Sequence, residues 1–281
     1  MVRFEKGENS SAYYACLGDD ADRDFAHDVL QNDKDMRVIF VNDVAVGLLV
    51  AGEGKTIWMH IYIFPEYRGQ GYGSEAYEAF LKAFVTGETE EIMTWYNEED
   101  KQSFQFASRR GFSHKFSSDY MTFEGDTYPQ DAPVRPYHSE DFDEVFAFYA
   151  EAFHRMRLST GCFPESQPQQ PSEAIRNHWD EKADEYFVYE LEGKPVALAH
   201  LLGNEISSLS VHPSYQGEGI GRNFLMWIMN HILDEYEKVD LYCVVGNHKA
   251  RKLYDSLGFK TSMRICYSRK IIGEKVDGQL E

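Results

Sequence analysis

Residues 61–73 read IYIFPEYRGQGYG, and residues 209–221 read LSVHPSYQGEGIG. Aligned on Pro65 and Pro213, both show an alternating apolar run, a proline, an aromatic two positions on, and then R/Q-G-x-G-x-G. Farther along, Arg110-Gly111-Phe112 answers Leu257-Gly258-Phe259. The prolines lie 148 positions apart and the later glycines 147. Landmarks that recur in one order at a nearly constant offset indicate a duplicated unit.

The flanking segments repeat as well. MRVIFVNDVAVGLLVAG (36–52) holds two β-rich runs around Asn42-Asp43, a hairpin signal. YFVYELEGKPVALAHLLG (186–203) repeats the design, with Glu192-Gly193-Lys194 as its turn. After each glycine loop the apolar spacing predicts a helix, over 74–85 with Ala76, Phe80, Ala83 and Phe84 on one face, and over 222–236 with Phe224, Leu225, Ile228, Ile232 and Leu233. A short strand follows each (91–96 and 238–245), then a second helix ending at Gly111 or Gly258. Such an order predicts an α/β (α+β) fold with a mixed sheet, built twice. GDTYPQDAPVRP (125–136) is rich in turn residues and lacks periodicity, which places domains at 1–126 and 137–281 with a linker at 127–136. RMRLSTGCFPESQPQQPS (155–172) reads as an irregular loop on the substrate side.

Composition narrows the function. The chain has 281 residues and a formal net charge of −19, and both halves are acidic. No basic face marks a nucleic-acid partner. The negative field suits solubility first, and a cationic amine substrate second. No apolar run reaches a membrane span, and no apolar core follows the basic residues near the N-terminus, so a cytoplasmic protein is expected. The four cysteines are scattered without metal-like spacing, so no metal and buried free thiols are expected.

A strand that ends in a glycine turn opening a helix aims several backbone N–H groups at one point, beside the positive end of the helix dipole. Pyrophosphate is the natural occupant. Gly71, Gly73, Gly219 and Gly221 would let the backbone approach the anion, and Arg68 could add a charged contact. Neither loop carries a P-loop lysine, and neither has the spacing of the dinucleotide fingerprint.

With these residues in view, each half resembles an N-acetyltransferase domain of the GNAT superfamily, and the tandem layout resembles its two-domain bacterial members. The loops Arg68-Gly69-Gln70-Gly71-Tyr72-Gly73 and Gln216-Gly217-Glu218-Gly219-Ile220-Gly221, the latter followed by Arg222, are similar to the family's acyl-CoA pyrophosphate motif. The segment from Asn247 to Phe259 is similar to its N-x-x-A-x-x-x-Y-x-x-x-G-F signature. The resemblance implies acetyl-CoA as co-substrate, a small amine or peptide as acceptor, and a monomer or homodimer.

It also implies roles. Tyr254 takes the general-acid position, its phenol suited to protonating a departing thiolate. Asn247 caps the same helix and contacts the pantetheine arm. Backbone near Leu209–Val211 supplies the donor for the thioester carbonyl. Glu205, heading its strand, is the leading base, with His200 and His212 as alternatives. Cys243 would allow covalent transfer, against the prior for a buried strand cysteine. In the first half Tyr254 maps to Ala107, Asn247 to Asp100 and Glu205 to Ile57, so that half is expected to be non-catalytic, unless Tyr96 or Tyr120 substitutes. The alternative function is a non-catalytic acyl-CoA-binding or sensing protein.

Overall fold

The computed structural model describes residues 1–6, 13, 16–17, 36–128 and 131–273. The chain divides into two compact units, Met1–Lys115 with Ile265–Glu281, and Phe116–Arg264.

In unit 1, β1 (Val2–Lys6), β2 (Met36–Val41), β3 (Val44–Ala51) and β4 (Thr56–Ile63) pair antiparallel in sequence order. β5 (Glu91–Asn97) then lies parallel to β4. Asn42 and Asp43 both take positive φ, 48° and 66°, as the predicted two-residue hairpin turn requires. Helix α1 (Tyr72–Phe84) lays Ala76, Tyr77 and Phe80 on Ile57, Met59 and Ile92, and α2 (Lys101–Ser108) adds Ala107. α1 starts two residues before the expected position, because left-handed Gly71 is its N-cap. The glycine loop and the helix start are therefore one feature.

Unit 2 repeats the plan. β8 (Tyr186–Leu191), β9 (Lys194–Leu202) and β10 (Glu205–Val211) are antiparallel neighbours, β7 (Val134–Pro136) flanks β8, and β11 (Val239–Val244) is parallel to β10. The turn is Glu192-Gly193 alone, both at positive φ, and Lys194 already belongs to β9. α5 (Ile220–Leu233) buries Phe224, Leu225, Ile228, Met229 and Ile232 against one face of this sheet. α3 (Phe142–Thr160) and α4 (Glu173–Glu181) cover the other with Phe142, Val145, Phe146 and Trp179. α6 (His248–Ser256) follows β11.

Two expectations change. α3 continues to Thr160 and ends on Gly161 at φ 71°, so the irregular stretch starts there rather than at 155, and closes where Ser172 caps α4. The hydrogen-bonded turns of α3 thus override a local composition that resembles a loop.

The larger difference concerns the last strand of each repeat. Residues Ser118–Phe123 of β6 (Ser113–Phe123) pair antiparallel with Val239–Val244 of β11, in unit 2. Residues Ile265–Ile271 of β12 (Lys260–Ile271) pair antiparallel with Glu91–Asn97 of β5, in unit 1. Each repeat's final strand completes the sheet of the other, so the units differ from a division at 126 and 137. The expected linker at 127–136 lies past β6, but its Val134–Pro136 form β7 on the edge of β8, and its residues 129 and 130 fall outside the described residues.

Candidate functional site

Both glycine loops are open cradles. Gly217 and Gly219 take φ of 91° and 86°, Gly69 and Gly71 take 74° and 90°, and among the described residues nothing lies within 4 Å of where a Cβ would stand on any of the four. A side chain at these positions would be strained and would fill the cradle. Gly71 and Gly219 cap α1 and α5 without a side-chain hydrogen bond. The first intrahelical bonds come from Ser74 and Arg222, to Gly71 and Gly219. The N–H groups of Tyr72 and Gly73, and of Ile220 and Gly221, are thus the orphan donors of the first turn.

The first motif position also ties down the loop itself. Arg68 Nε donates to the carbonyl of Ile63 at 2.8 Å, and Gln216 Nε2 to that of Val211 at 3.0 Å. Gln70 Nε2 donates to the carbonyl of Glu66 at 3.0 Å. Arg222 reaches across to Ser256 Oγ at 2.7 Å, tying α5 to α6, while Glu218 is exposed at the loop's tip.

Behind each cradle the parallel strands part. β10 pairs with β11 only at Glu205↔Asp240 and Ile206↔Leu241, and its register with β9 shifts between Ile206 and Ser208. β4 pairs with β5 only from Thr56 to Trp58. His212 N–H donates to the Val196 carbonyl on β9. Strand alternation then turns the N–H groups of Leu209 and Val211 into the gap. The Val211 carbonyl, taken by Gln216, faces the same way. The gap so formed is a slot edged with backbone donors and leading to the cradle.

Tyr254 sits on the helical side of this slot. Its ring packs on Phe259 at 5.8 Å and joins the cluster holding Cys243 and Leu257. Burial, with a smaller push from Cys243, raises its phenol above the ordinary tyrosine value and keeps it protonated. Asn247 caps α6, its side chain accepting from Ala250 N at 3.3 Å. Burial pushes the Cys243 thiol up to about 11, so it is no thiolate nucleophile near neutrality. Cys243 and Cys266 are buried, whereas Cys16 and Cys162 are only partly so, a departure from four buried thiols.

Glu205 lies on the opposite face. Ile206, Leu209 and Val211 join the α5 cluster, so alternation turns Glu205 away from it, 7 % exposed and beside Asp240. Asp240 went unnoticed in the sequence, although an aspartate inside VDLYCV is its own signal. It is 2 % exposed and accepts from Thr122 Oγ1 at 2.7 Å and Asn204 Nδ2 at 2.6 Å. Burial raises its pKa, but hydrogen bonds from Thr122, Lys238, Tyr120 and Asn204 outweigh this and leave it below the usual carboxylate range.

Both histidine alternatives have structural occupations. His212 Nδ1 accepts from Ser214 N at 3.1 Å, between the rings of Phe148 and Tyr215. His200 is stacked on Tyr186 and bonded to Glu185, with burial holding its pKa below the ordinary value.

The first repeat keeps the cradle and the gap but changes the rest. Ile57 and Ala107 are buried apolar groups. Asp100 caps α2 as Asn247 caps α6, accepting from Gln102 and Ser103 N–H, so the cap survives the replacement. The Tyr96 hydroxyl is hydrogen-bonded with Ser268 Oγ at 2.9 Å, and Tyr120 belongs to unit 2. Neither supplies a free acid to this gap.

The comparisons agree with the geometry. The model of the acetyltransferase (GNAT) family matches twice, at residues 6–112 and 153–259. The chain therefore belongs to the GNAT acetyltransferase family, in tandem form. It is similar in fold to a GCN5-related N-acetyltransferase from Sphaerobacter thermophilus (TM-score 0.69, 15% identity, 99% of this chain and 98% of that one). A GNAT-family acetyltransferase from Colwellia psychrerythraea aligns at TM-score 0.64 and 14% identity, over 96% and 100% of the two chains. A tandem GNAT protein from the clavulanic acid biosynthesis pathway aligns at TM-score 0.67 and 13% identity, over 98% and 100%. No curated protein sequence matches the chain. Among the described residues, no helix is long and apolar enough to cross a membrane, and no three His, Cys, Asp or Glu gather as metal ligands.

Proposed function

We propose that the chain transfers an acetyl group from acetyl-CoA to a primary amine, with the chemistry in unit 2. One observation carries this. The slot between β10 and β11 leads to a glycine cradle and has Tyr254 on its helical side and Glu205 on the other face.

The CoA pyrophosphate would lie on the N–H groups of Ile220 and Gly221, and the pantetheine arm along β10. Leu209 and Val211 N–H donate to the thioester oxygen as it gains charge. The amine approaches on the Glu205 face, and the carboxylate takes its proton directly or through a water. The C–N bond forms, the C–S bond breaks, and Tyr254 protonates the leaving thiolate. Solvent then restores both side chains. The acidic surface and the Glu205–Asp240 pair support a cationic acceptor.

Unit 1 has Ala107 and Ile57 at the positions of Tyr254 and Glu205, which supports a non-catalytic domain that holds acyl-CoA. The reading that the whole chain only binds or senses acyl-CoA is separated by one assay. A panel of amines with acetyl-CoA, followed by free-thiol release, should show turnover that Tyr254→Phe removes; turnover unchanged in that variant would eliminate Tyr254 as the acid.

A further inference from the structure

The gap of unit 1 is a cavity between β4, β5 and α2, lined by Met59, His60, Trp95, Tyr96, Phe106 and Ala107 among others. We propose that it binds an acyl-CoA whose acyl group is apolar and larger than acetyl. This rests on the reading that the first glycine loop holds CoA.

Two features of the gap carry it. Ala107 stands where the second repeat has Tyr254, so a whole phenol is missing from the helix that walls the slot. The room it leaves is bordered by Met59 and Phe106, which offer contact to hydrocarbon, while Thr94 and Ser103 also reach the cavity wall. Second, the indole Nε1 of Trp95 has no hydrogen-bond partner among the described residues, although Trp95 is only 8 % exposed. A buried donor lacking an acceptor is unfavourable until one arrives. His60 lies against that indole at 4.6 Å and fixes its orientation, and the carbonyl of an acyl thioester in the gap provides the acceptor. With Ile57 in place of the Glu205 carboxylate and Ala107 in place of Tyr254, the bound thioester meets neither proton carrier of the second repeat. The acyl group is thus held rather than transferred.

The full chain carrying Gly219→Asp, which closes the second cradle with a side chain and a negative charge, is titrated by calorimetry with CoA, acetyl-CoA and butyryl-CoA. One site per chain is expected, with butyryl-CoA bound about tenfold tighter than acetyl-CoA, as burial of two methylenes predicts. Ala107→Tyr should abolish that preference and leave CoA binding intact; Ala107→Val, a smaller filling, should reduce it. Trp95→Phe should weaken both acyl thioesters and spare CoA. Equal affinity for acetyl- and butyryl-CoA would overturn the proposal while leaving the cradle standing. Loss of all CoA binding in the Gly219→Asp chain would overturn the cradle reading and this proposal together.

Discussion

Tyr254 and Ala107 stand at matching points of α6 and α2, and their difference divides the two repeats. Tyr254→Phe keeps the ring against Phe259 and removes only the hydroxyl. Thiol release should fall by about 100-fold or more, while stability stays within about 0.5 kcal/mol of the parent; kinetics and urea titration together check this. His60 gives a second test at this scale. Burial lowers its pKa from 6.5 to about 4, against a smaller upward pull from Asp100. The unfolded chain therefore takes up the proton first. The stabilisation from keeping His60 neutral is complete above pH 6.5 and is lost as pH falls towards 4. His60→Gln should flatten that part of the stability curve, read from denaturant midpoints across the range.

Among the elements, the terminal helices are set by capping side chains that differ in chemistry and agree in geometry. Asp100 and Asn247 each close the first turn of α2 or α6 through the side-chain oxygen. Replacing either by alanine should cost about 1 kcal/mol, measured as a shift of the unfolding midpoint. Only the change at Asn247 is expected to lower turnover as well. The cap at Asn247, the hairpins at Asn42-Asp43 and Glu192-Gly193, and the two glycine loops were legible in the sequence, because each depends on residues a few positions apart. Tyr254 and the loop residues were legible as parts of one spaced signature. Asp240 and Trp95 were not, since their importance comes from neighbours on other strands. The length of α3 was hidden for a related reason: Arg157 to Thr160 look like loop residues until the turns before them are in place.

On the scale of the molecule, β6 and β12 exchange partners, and nothing local in either strand announces it. Both are amphipathic strands after a helix and a Gly-Phe, and pairing partners are chosen by the whole sheet. The exchange carries polar consequences. Asp119 on β6, 1 % exposed, receives Arg251 and Arg264, and Thr122 on β6 holds Asp240. The segment 137–281 alone therefore lacks the strand beside β11 and the buried partner of both arginines. It should fail to give a dispersed amide spectrum, whereas 116–264 should fold as one cooperative unit. A well-folded 137–281 would show the exchange to be dispensable.

The same exchange imposes an order on synthesis. While the ribosome is still making the second repeat, β5 stands as an open edge bearing Ile92, Met93, Trp95 and Tyr96, and its partner, residues 265–271, emerges only after the whole second unit. The first unit to begin is thus the last to finish. The unit that starts at β6 closes before it, leaving the nascent chain to guard an adhesive strand throughout the synthesis of the second unit.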